Sequence, residues 1–298
     1  MEMQRHPFLL ERGEDRPIHG VWHIPSAEAK GTVLFLHGYK GYMDWGAWAM
    51  VGDAFAQAGW RFLRINFTHN GTTPEDPCTF TDLQGFAANT YSRELDESIS
   101  VLQALRAEAS MSDDTATEKP LAVIGHSRGG GVACLAASAA DAKLQSEGKR
   151  GIQSLITWAA VADFASRFPS GKALEHWRQS GELEVINHRT RQRLWHNWSF
   201  IEDFMEQPNR LDVEQAVRQF SGQTLIVHGT SDQAVDTDHA HRLAAWAQEP
   251  TLSMGEGMDH TFGAKEPWTD PAMPEALAAI TQTTLHFLEE GRAVQSPV

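Results

Sequence analysis

One serine of this chain lies in a sequence that predicts a sharp turn between a strand and a helix. The segment Leu121–Gly131 reads LAVIGHSRGGG, so an apolar run leads into the pattern G-x-S-x-G with Ser127 at its centre. Small residues on both sides allow a strand and a helix to approach closely around a strained turn. The pattern therefore predicts a nucleophilic serine that projects from the end of a buried strand.

A serine hydroxyl is a weak nucleophile near neutral pH, so this interpretation requires a base and an acid elsewhere in the chain. Asp232 lies in a turn after the short apolar strand predicted at Thr224–Val227. His260 lies in a loop after a last predicted strand at Pro250–Met254. The order along the chain is serine, aspartate, histidine, which is the order of the α/β-hydrolases and not that of chymotrypsin or subtilisin.

The chain resembles the α/β-hydrolases of the serine esterase, lipase and acyl-peptidase type. Four motifs that together span most of the chain carry this resemblance: His37-Gly38 after the strand Thr32–Leu36, the turn at Ser127, HGTSDQAV around Asp232, and GMDHTF around His260. Within this group the chain is most similar to cinnamoyl esterases and dienelactone hydrolases. The dienelactone hydrolases usually carry a cysteine nucleophile, where this chain has a serine.

The resemblance implies a role for each motif. Ser127 would attack an acyl carbonyl, His260 would take and later return the proton, and Asp232 would orient the imidazole. The backbone N–H groups of Tyr39 and Arg128 would stabilise the tetrahedral oxyanion. We therefore expect hydrolysis of a carboxylic ester with a small to medium acyl group through an acyl-serine intermediate, with no cofactor and no metal.

Three other functions remain open at this point. Amide or peptide hydrolysis uses the same residues but must protonate a poorer leaving group. Acyl transfer would follow if water were excluded from the acyl-enzyme. A non-catalytic binding protein could also use this scaffold, but such proteins often lose one of the three side chains, and this chain has all of them.

The chain contains 14 histidines, so other histidines must be considered as alternatives to His260. We interpret His37, His126 and His228 as structural residues. His69 follows a predicted strand and is expected to border the substrate pocket. Asp236 and Asp238 are alternatives to Asp232, but the resemblance places the acid in the turn immediately after the strand, which is Asp232. Together with His239 and His241 they could suggest a metal site, but the spacing of the two histidines does not place both on one helix face.

Apolar strands alternate with helical segments along most of the chain. This alternation predicts an α/β fold with a mainly parallel sheet, helices on both faces and ligands at the carboxyl ends of the strands. An antiparallel pair is expected at the sheet edge. The predicted segments are His6–Glu11, Ile18–Ile24, Thr32–Leu36, Trp60–Phe67 and Ile152–Val161 as strands, Trp45–Ala58 and Tyr91–Ala109 as helices, and Ser110–Lys119 as a surface loop.

The alternation stops between Asp163 and Phe220. We expect residues 1–298 to form one domain of the α/β-hydrolase type, with residues 163–220 inserted as a lid over the active site. Trp195 and Trp198 are expected to line the substrate pocket; the alternative for each is that it fastens the insertion to the main domain. A turn or hairpin is predicted at Val185–Arg193.

Composition limits the partners. The formal net charge of −14 argues against binding to nucleic acid or to anionic membrane surfaces, because both require a concentrated basic face. No apolar run has signal-peptide length at the amino terminus, and none approaches the roughly 18 residues of a membrane-spanning helix. We expect a cytoplasmic protein without stable membrane association, whose partner is a small ester. The oligomeric state, monomer or homodimer, is open, and Cys78 and Cys134 are expected to be unbridged.

Overall fold

Ten strands lie along the chain in the computed structural model, which describes residues 3–111 and 119–295. They are β1 (Gln4–Arg12), β2 (Asp15–Ile24), β3 (Thr32–Leu36), β4 (Arg61–Ile65), β5 (Leu121–His126), β6 (Ser154–Trp158), β7 (Glu182–Asn187), β8 (Gln192–Asn197), β9 (Gln223–Gly229) and β10 (Pro250–Gly255).

Eight of these strands form one sheet in the order β1-β2-β4-β3-β5-β6-β9-β10. Strand β2 pairs antiparallel with both β1 and β4, and the remaining pairs are parallel. The predicted α/β fold with a mainly parallel sheet is therefore confirmed, including the antiparallel pair at its edge.

Nine helices are described: α1 (Trp48–Gln57), α2 (Leu83–Ala87), α3 (Tyr91–Met111), α4 (Arg128–Ser146), α5 (Gly171–Ser180), α6 (Ser199–Glu206), α7 (Val213–Gln219), α8 (Asp238–Trp246) and α9 (Glu275–Gln295). Within the described ranges, none of them combines the length and apolarity needed to cross a membrane. The surface loop predicted at Ser110–Lys119 falls mostly on residues 112–118, which lie outside the described residues.

The central strands are buried on both faces. Along β3, Leu34 and Leu36 pack into the apolar cluster on the side of α3 and α4, whereas Val33 and Phe35 pack into the cluster on the side of α1 and α9. This alternation is the two-residue period of a strand covered by helices on both sides. It explains why the parallel strands read as continuous apolar runs, and it gives the carboxyl edge of the sheet a rigid support.

Residues 163–220 lie between β6 and β9 and contain α5, the β7–β8 hairpin, α6 and α7. The hairpin predicted at Val185–Arg193 is present, with longer strands than expected. Aromatic contacts join the insertion to α3: the ring of Tyr91 stacks on Phe164 at a centroid distance of 4.0 Å and lies 4.9 Å from the ring of Phe200. The insertion therefore packs against the first residue of α3.

Candidate active site

Ser127 occupies the turn between β5 and α4, in a backbone conformation with φ 56° and ψ −121°. This left-handed region is costly for a residue with a Cβ atom and persists only where the surrounding structure enforces it. The neighbouring glycines show how the turn is enforced. A Cβ atom on Gly125 would lie 2.2 Å from the carbonyl oxygen of Gly129, and one on Gly129 would lie 2.4 Å from that of His37. Strand, turn and helix can pack this closely only because both positions are glycine.

Three residues from distant parts of the chain meet at this turn. His260 Nε2 lies 3.0 Å from Ser127 Oγ, and His260 Nδ1 lies 2.8 Å from Asp232 Oδ2. An ionised carboxylate can only accept hydrogen bonds, so Nδ1 carries the proton and Nε2 is free to accept the serine proton. The structure thus brings together the three side chains that the sequence analysis selected, in the contact order that general-base activation of a serine requires.

The turn after β9 holds the Asp232 carboxylate in place. Its Oδ1 accepts hydrogen bonds from the backbone N–H groups of Ala234 and Val235 at 2.8 and 2.9 Å. Burial acts to raise the pKa of Asp232, but hydrogen bonds from His228, His260 and the N–H of Val235 outweigh it and hold that pKa well below its usual range. The carboxylate therefore stays ionised beside the imidazole.

The two rival carboxylates do not replace Asp232 as partners of His260. Asp236 accepts a hydrogen bond from the backbone N–H of Asp238 at 2.8 Å, at the start of α8. Asp238 is the first residue of that helix, where a negative charge is favourable. Both carboxylates thus stabilise the N-terminus of α8.

The loop after β3 passes directly over the serine. A Cβ atom on Gly38 would lie 2.9 Å from Ser127 Cβ, and Tyr39 lines the space around Ser127. Arg128 is the first residue of α4, where backbone N–H groups have no acceptor within the helix. In the described part of the chain, the N–H groups of Tyr39 and Arg128 have no backbone acceptor. They remain available to a developing oxyanion.

His37 fixes that loop. Its Nε2 accepts the backbone N–H of Phe67 at 3.4 Å, so Nδ1 carries the proton and donates to the carbonyl oxygen of Gly38 at 2.9 Å. Burial lowers the pKa of His37 to about 4, so the ring is neutral at neutral pH and this tautomer is maintained. The imidazole therefore holds the start of the loop that carries the Tyr39 N–H.

His126 acts on the other side of the serine. Its Nε2 lies 2.9 Å from the backbone carbonyl oxygen of His260, and the two ring centroids are 4.9 Å apart. Burial and the proximity of His260 lower the pKa of His126 to about 3, so it contacts this carbonyl as a neutral ring that donates its Nε2 proton. The ring tethers the loop that carries His260.

Two cavities meet at Ser127. The first, of about 390 Å³, is bounded by aromatic and aliphatic side chains and is called the aromatic cavity below. Its walls are Tyr39, Tyr91, Ser127, Arg128, Val161, Arg167, Phe168, Pro169, Trp177, Leu183, Val185, His196, Phe200, Ala234, Val235 and His260. The Arg128 guanidinium is paired with the buried Glu94 at 2.5 Å and lies 4.6 Å from the centroid of the Tyr39 ring. Its charge is therefore balanced within the protein.

The second cavity, of about 300 Å³, lies between the loop after β3 and the hairpin turn and is called the basic cavity below. Its walls are Gly38, Tyr39, Lys40, Gly41, Trp45, Trp48, His126, Ser127, Asn187, His188, Arg189, His260 and Thr261. Both cavities include the serine and the histidine, so the two parts of a substrate on either side of a reacting carbonyl can each occupy one of them.

The structure does not place the three predicted pocket residues in either cavity. Trp195 lies on the opposite face of β8 from the buried His196, and the Arg193 guanidinium lies over its ring at 5.8 Å. Trp198 packs edge-on against Trp177 at a centroid distance of 5.7 Å, a contact between two residues of the insertion. His69 Nδ1 lies 2.7 Å from Thr68 Oγ1, and neither cavity includes its ring.

The insertion contributes other aromatic residues to the cavity. Phe168, Trp177, His196 and Phe200 line it, and all four come from residues 163–220. The tyrosine hydroxyl of Tyr39 lies 2.7 Å from His196 Nε2, so the insertion also contacts the loop over Ser127. Aromatic content correctly indicated that this segment lines a cavity, but not which of its rings do so.

Comparison with known proteins addresses the family and the fold of the chain. The sequence profile described as "Alpha/beta hydrolase family" matches residues 33–292. A search of curated proteins finds no match.

Three solved structures illustrate the similarity of the fold. Est1E from Butyrivibrio proteoclasticus is 17% identical, with a TM-score of 0.65 over 96% of this chain and 99% of that one. A dienelactone hydrolase from Anabaena variabilis is 18% identical, with a TM-score of 0.60 over 97% and 99%. A soluble variant of monoglyceride lipase from Saccharomyces cerevisiae is 15% identical, with a TM-score of 0.67 over 96% of both chains. At these identities the likeness concerns the fold.

Proposed function

Because the chain belongs to the alpha/beta hydrolase family, we propose that it is a serine hydrolase that cleaves carboxylic esters of small to medium acyl groups. The observation that carries this proposal is the continuous hydrogen-bonded chain from Ser127 through His260 to Asp232. A serine with a hydrogen-bonded histidine base and a buried carboxylate behind it is the arrangement that nucleophilic acyl transfer requires.

In the first half of the reaction, Ser127 Oγ attacks the ester carbonyl carbon while His260 Nε2 takes the hydroxyl proton. The carbonyl oxygen becomes an oxyanion, which the N–H groups of Tyr39 and Arg128 stabilise. Collapse of the tetrahedral intermediate breaks the bond to the alcohol oxygen, which receives the proton from His260. The products of this half are the free alcohol and an acyl group on Ser127.

In the second half, water enters and gives a proton to His260 Nε2 as its oxygen attacks the acyl carbonyl carbon. The oxyanion again lies at the N–H groups of Tyr39 and Arg128. When it collapses, the bond to Ser127 Oγ breaks and His260 returns the proton to the serine. One ester and one water are thus converted to one acid and one alcohol, and the enzyme is regenerated.

The insertion at residues 163–220 is proposed to act as a lid. Its side chains form most of one wall of the aromatic cavity, and the edge-on packing of Trp198 against Trp177 keeps that wall in place. A cavity of about 390 Å³ between this wall and Ser127 is at the lower end of the range for small-molecule sites, which supports a small to medium acyl group.

Fluorophosphonate labelling combined with ester hydrolysis tests the proposal. The wild type is expected to be labelled and to hydrolyse para-nitrophenyl esters, whereas Ser127→Ala loses both activities. Ser166→Ala, at an exposed serine of the insertion, is the matched control and is expected to keep both. Labelling that persists in Ser127→Ala would place the nucleophile elsewhere. Faster turnover of aminoacyl anilides than of matched esters would assign the enzyme to amide hydrolysis.

A further inference from the structure

The charge of the basic cavity is opposite in sign to the net charge of the molecule; among the described residues, the aromatic cavity also lacks a lining carboxylate and includes Arg128 and Arg167. The chain has 39 acidic residues against 25 lysines and arginines, yet no described residue that lines the basic cavity carries a carboxylate. Two of its lining residues, Lys40 and Arg189, have basic side chains, although burial and the charge of Arg128 lower the pKa of Lys40. A cationic surface beside the candidate nucleophile of a strongly acidic protein indicates selection for a negatively charged group, because the overall charge would repel an anion at long range.

The position of Lys40 is fixed by the backbone. It directly follows Tyr39 in the loop over Ser127 and has a positive φ of 54°. Its Nζ donates a hydrogen bond to the carbonyl oxygen of Ile186 at 2.7 Å, which holds the side chain at the edge of the hairpin. An ammonium group has three N–H donors. The contact with Ile186 uses one of them, and the ammonium lies 5.0 Å from the centroid of the Tyr39 ring.

Asn187 supplies a second, independent observation. Its side chain is 4% exposed and lines the basic cavity. Its Oδ1 accepts the backbone N–H of Arg189 at 3.2 Å, whereas its buried Nδ2 has no acceptor among the described residues. A buried donor without an acceptor is destabilising, because its hydrogen bond to water is lost and not replaced. The unpaired amide therefore points to an acceptor supplied by a ligand in the cavity that Lys40 and Arg189 also line.

The aromatic residues of this cavity limit the shape of such a ligand. Trp45 and Trp48 pack against each other at a centroid distance of 5.9 Å and form an apolar wall. Asn187 and the exposed Arg189 line the same cavity. A ligand that suits all of these side chains has a flat apolar body with an anionic group at one end.

We propose that the basic cavity binds the leaving group of the ester substrate and that this leaving group carries a carboxylate or phosphate near Lys40 and Arg189. The inference rests on the proposed function. Anionic oxygens accept charge-assisted hydrogen bonds from ammonium, guanidinium and amide donors.

Both cavities have buried and exposed lining residues, so we assign the two parts of the substrate by the chemistry of the walls and by the position of the rim. The aromatic cavity is walled by buried side chains such as Trp177 and Phe200, which suits the acyl group that stays on the serine. The rim of the basic cavity includes the exposed His188 and Arg189, through which the first product can leave.

Matched acetate esters test this inference. Para-acetoxybenzoate and para-acetoxyphenyl phosphate have anionic leaving groups, and methyl para-acetoxybenzoate is the neutral counterpart. Each kcat/KM is divided by the rate of alkaline hydrolysis of the same ester to remove intrinsic reactivity. We expect the wild type to prefer an anionic ester on the order of tenfold, the effect of one charge-assisted hydrogen bond. The better of the two anionic esters distinguishes carboxylate from phosphate. High salt should reduce the preference.

Variants that replace one basic side chain by a neutral one show which residues cause the preference for anionic esters. Arg189→Gln and Lys40→Gln are each expected to lower the preference severalfold. Arg191→Gln removes the same charge from the same exposed turn outside the cavity and is expected to retain it. Equal use of neutral and anionic esters by the wild type would overturn the inference while the proposed function stands. The inference would also be overturned if the enzyme preferred mono-para-nitrophenyl succinate, whose anion is on the acyl side, and if this preference depended on Arg189. Absence of both turnover and fluorophosphonate labelling would instead contradict the proposed function.

Discussion

The buried imidazole of His228 lies 3.2 Å from Oδ2 of Asp232, the same carboxylate oxygen that His260 contacts at 2.8 Å. His228 Nε2 also lies 2.9 Å from the carbonyl oxygen of Val235, which can only accept, so Nε2 carries the proton. The carboxylate is thus held between two imidazoles, one facing the serine and one behind it. The sequence analysis assigned His228 to structure alone, and its position shows that the structure it supports includes the candidate catalytic acid.

We therefore expect His228 to act as a positioning residue. His228→Ala should lower kcat roughly tenfold to a hundredfold, because a hydrogen bond to a charged group is lost and Asp232 no longer orients His260 firmly. KM should change little, since His228 lines neither cavity. Steady-state kinetics on para-nitrophenyl acetate measure both constants. His228→Gln, whose amide can donate in place of Nε2, should recover much of kcat; a glutamine variant no better than alanine would contradict the role.

The pH profile of activity follows from the protonation states of Asp232 and His260. The depressed pKa of Asp232 keeps its carboxylate ionised throughout the range in which imidazoles change charge. A histidine base must be neutral to accept a proton, and histidines titrate between about pH 5 and pH 8. Activity should therefore rise once across this interval and then level off, with kcat/KM measured in buffers of constant ionic strength. A flat profile from pH 5 to 9 would argue against His260 as the base.

The residues that meet at Ser127 could be predicted from sequence because each follows a strand. Parallel strands end at the same edge of a sheet, so Ser127 after β5, Asp232 after β9 and His260 after β10 had to lie close together once the alternation of strands and helices was recognised. The distances among their side chains depend on turn geometry, such as the strained backbone of Ser127, which the spacing of residues does not determine.

The walls of the cavities could not be predicted in the same way. Along β8 the two-residue period separates Trp195 from Leu194 and His196, but the period does not tell which set faces the main domain. Packing of the hairpin against Phe86 and Tyr39 decides it, through contacts more than a hundred residues apart in sequence. The short helix α2 was missed for a different reason, since its five residues are too few to show a helical period.

A buried carboxyl of α3 should make stability depend on pH. Glu97 accepts hydrogen bonds from the N–H and hydroxyl of Thr68, and Arg12 lies 3.6 Å away, yet burial raises its pKa to about 7 from an ordinary value of 4.5. The folded state thus favours the protonated form. Its stabilising contribution is fully present below about pH 4.5 and is lost as the pH rises through 7, to a total of about 3 kcal/mol.

Glu97→Gln tests this contribution, because glutamine does not titrate. Urea unfolding at a series of pH values gives the free energy of unfolding of each protein. The difference between Glu97→Gln and the wild type should increase in favour of the variant from about pH 4.5 to about pH 7 and then stay constant. Glu206→Gln, at an exposed position on α6, is the control and should run parallel to the wild type. Parallel curves for Glu97→Gln would show that Glu97 titrates normally.

The β7–β8 hairpin allows the lid proposal to be tested with two adjacent residues. Val185 lines the aromatic cavity, whereas Ile186 points to the opposite face of the hairpin and is 44% exposed. Val185→Trp should fill part of the cavity and exclude long acyl chains, while para-nitrophenyl acetate still fits. The ratio of kcat/KM for the hexanoate to that for the acetate should fall about tenfold or more, since each excluded methylene removes a favourable contact in an apolar pocket.

Ile186→Trp adds the same side chain to the same strand and should leave this ratio unchanged, which separates filling of the cavity from distortion of the hairpin. If Val185→Trp instead lowers kcat/KM equally for all acyl lengths, the hairpin supports the geometry around Ser127 and does not bound the acyl group. In that case the insertion would act through contacts such as that between Tyr39 and His196, which joins it to the loop over the serine.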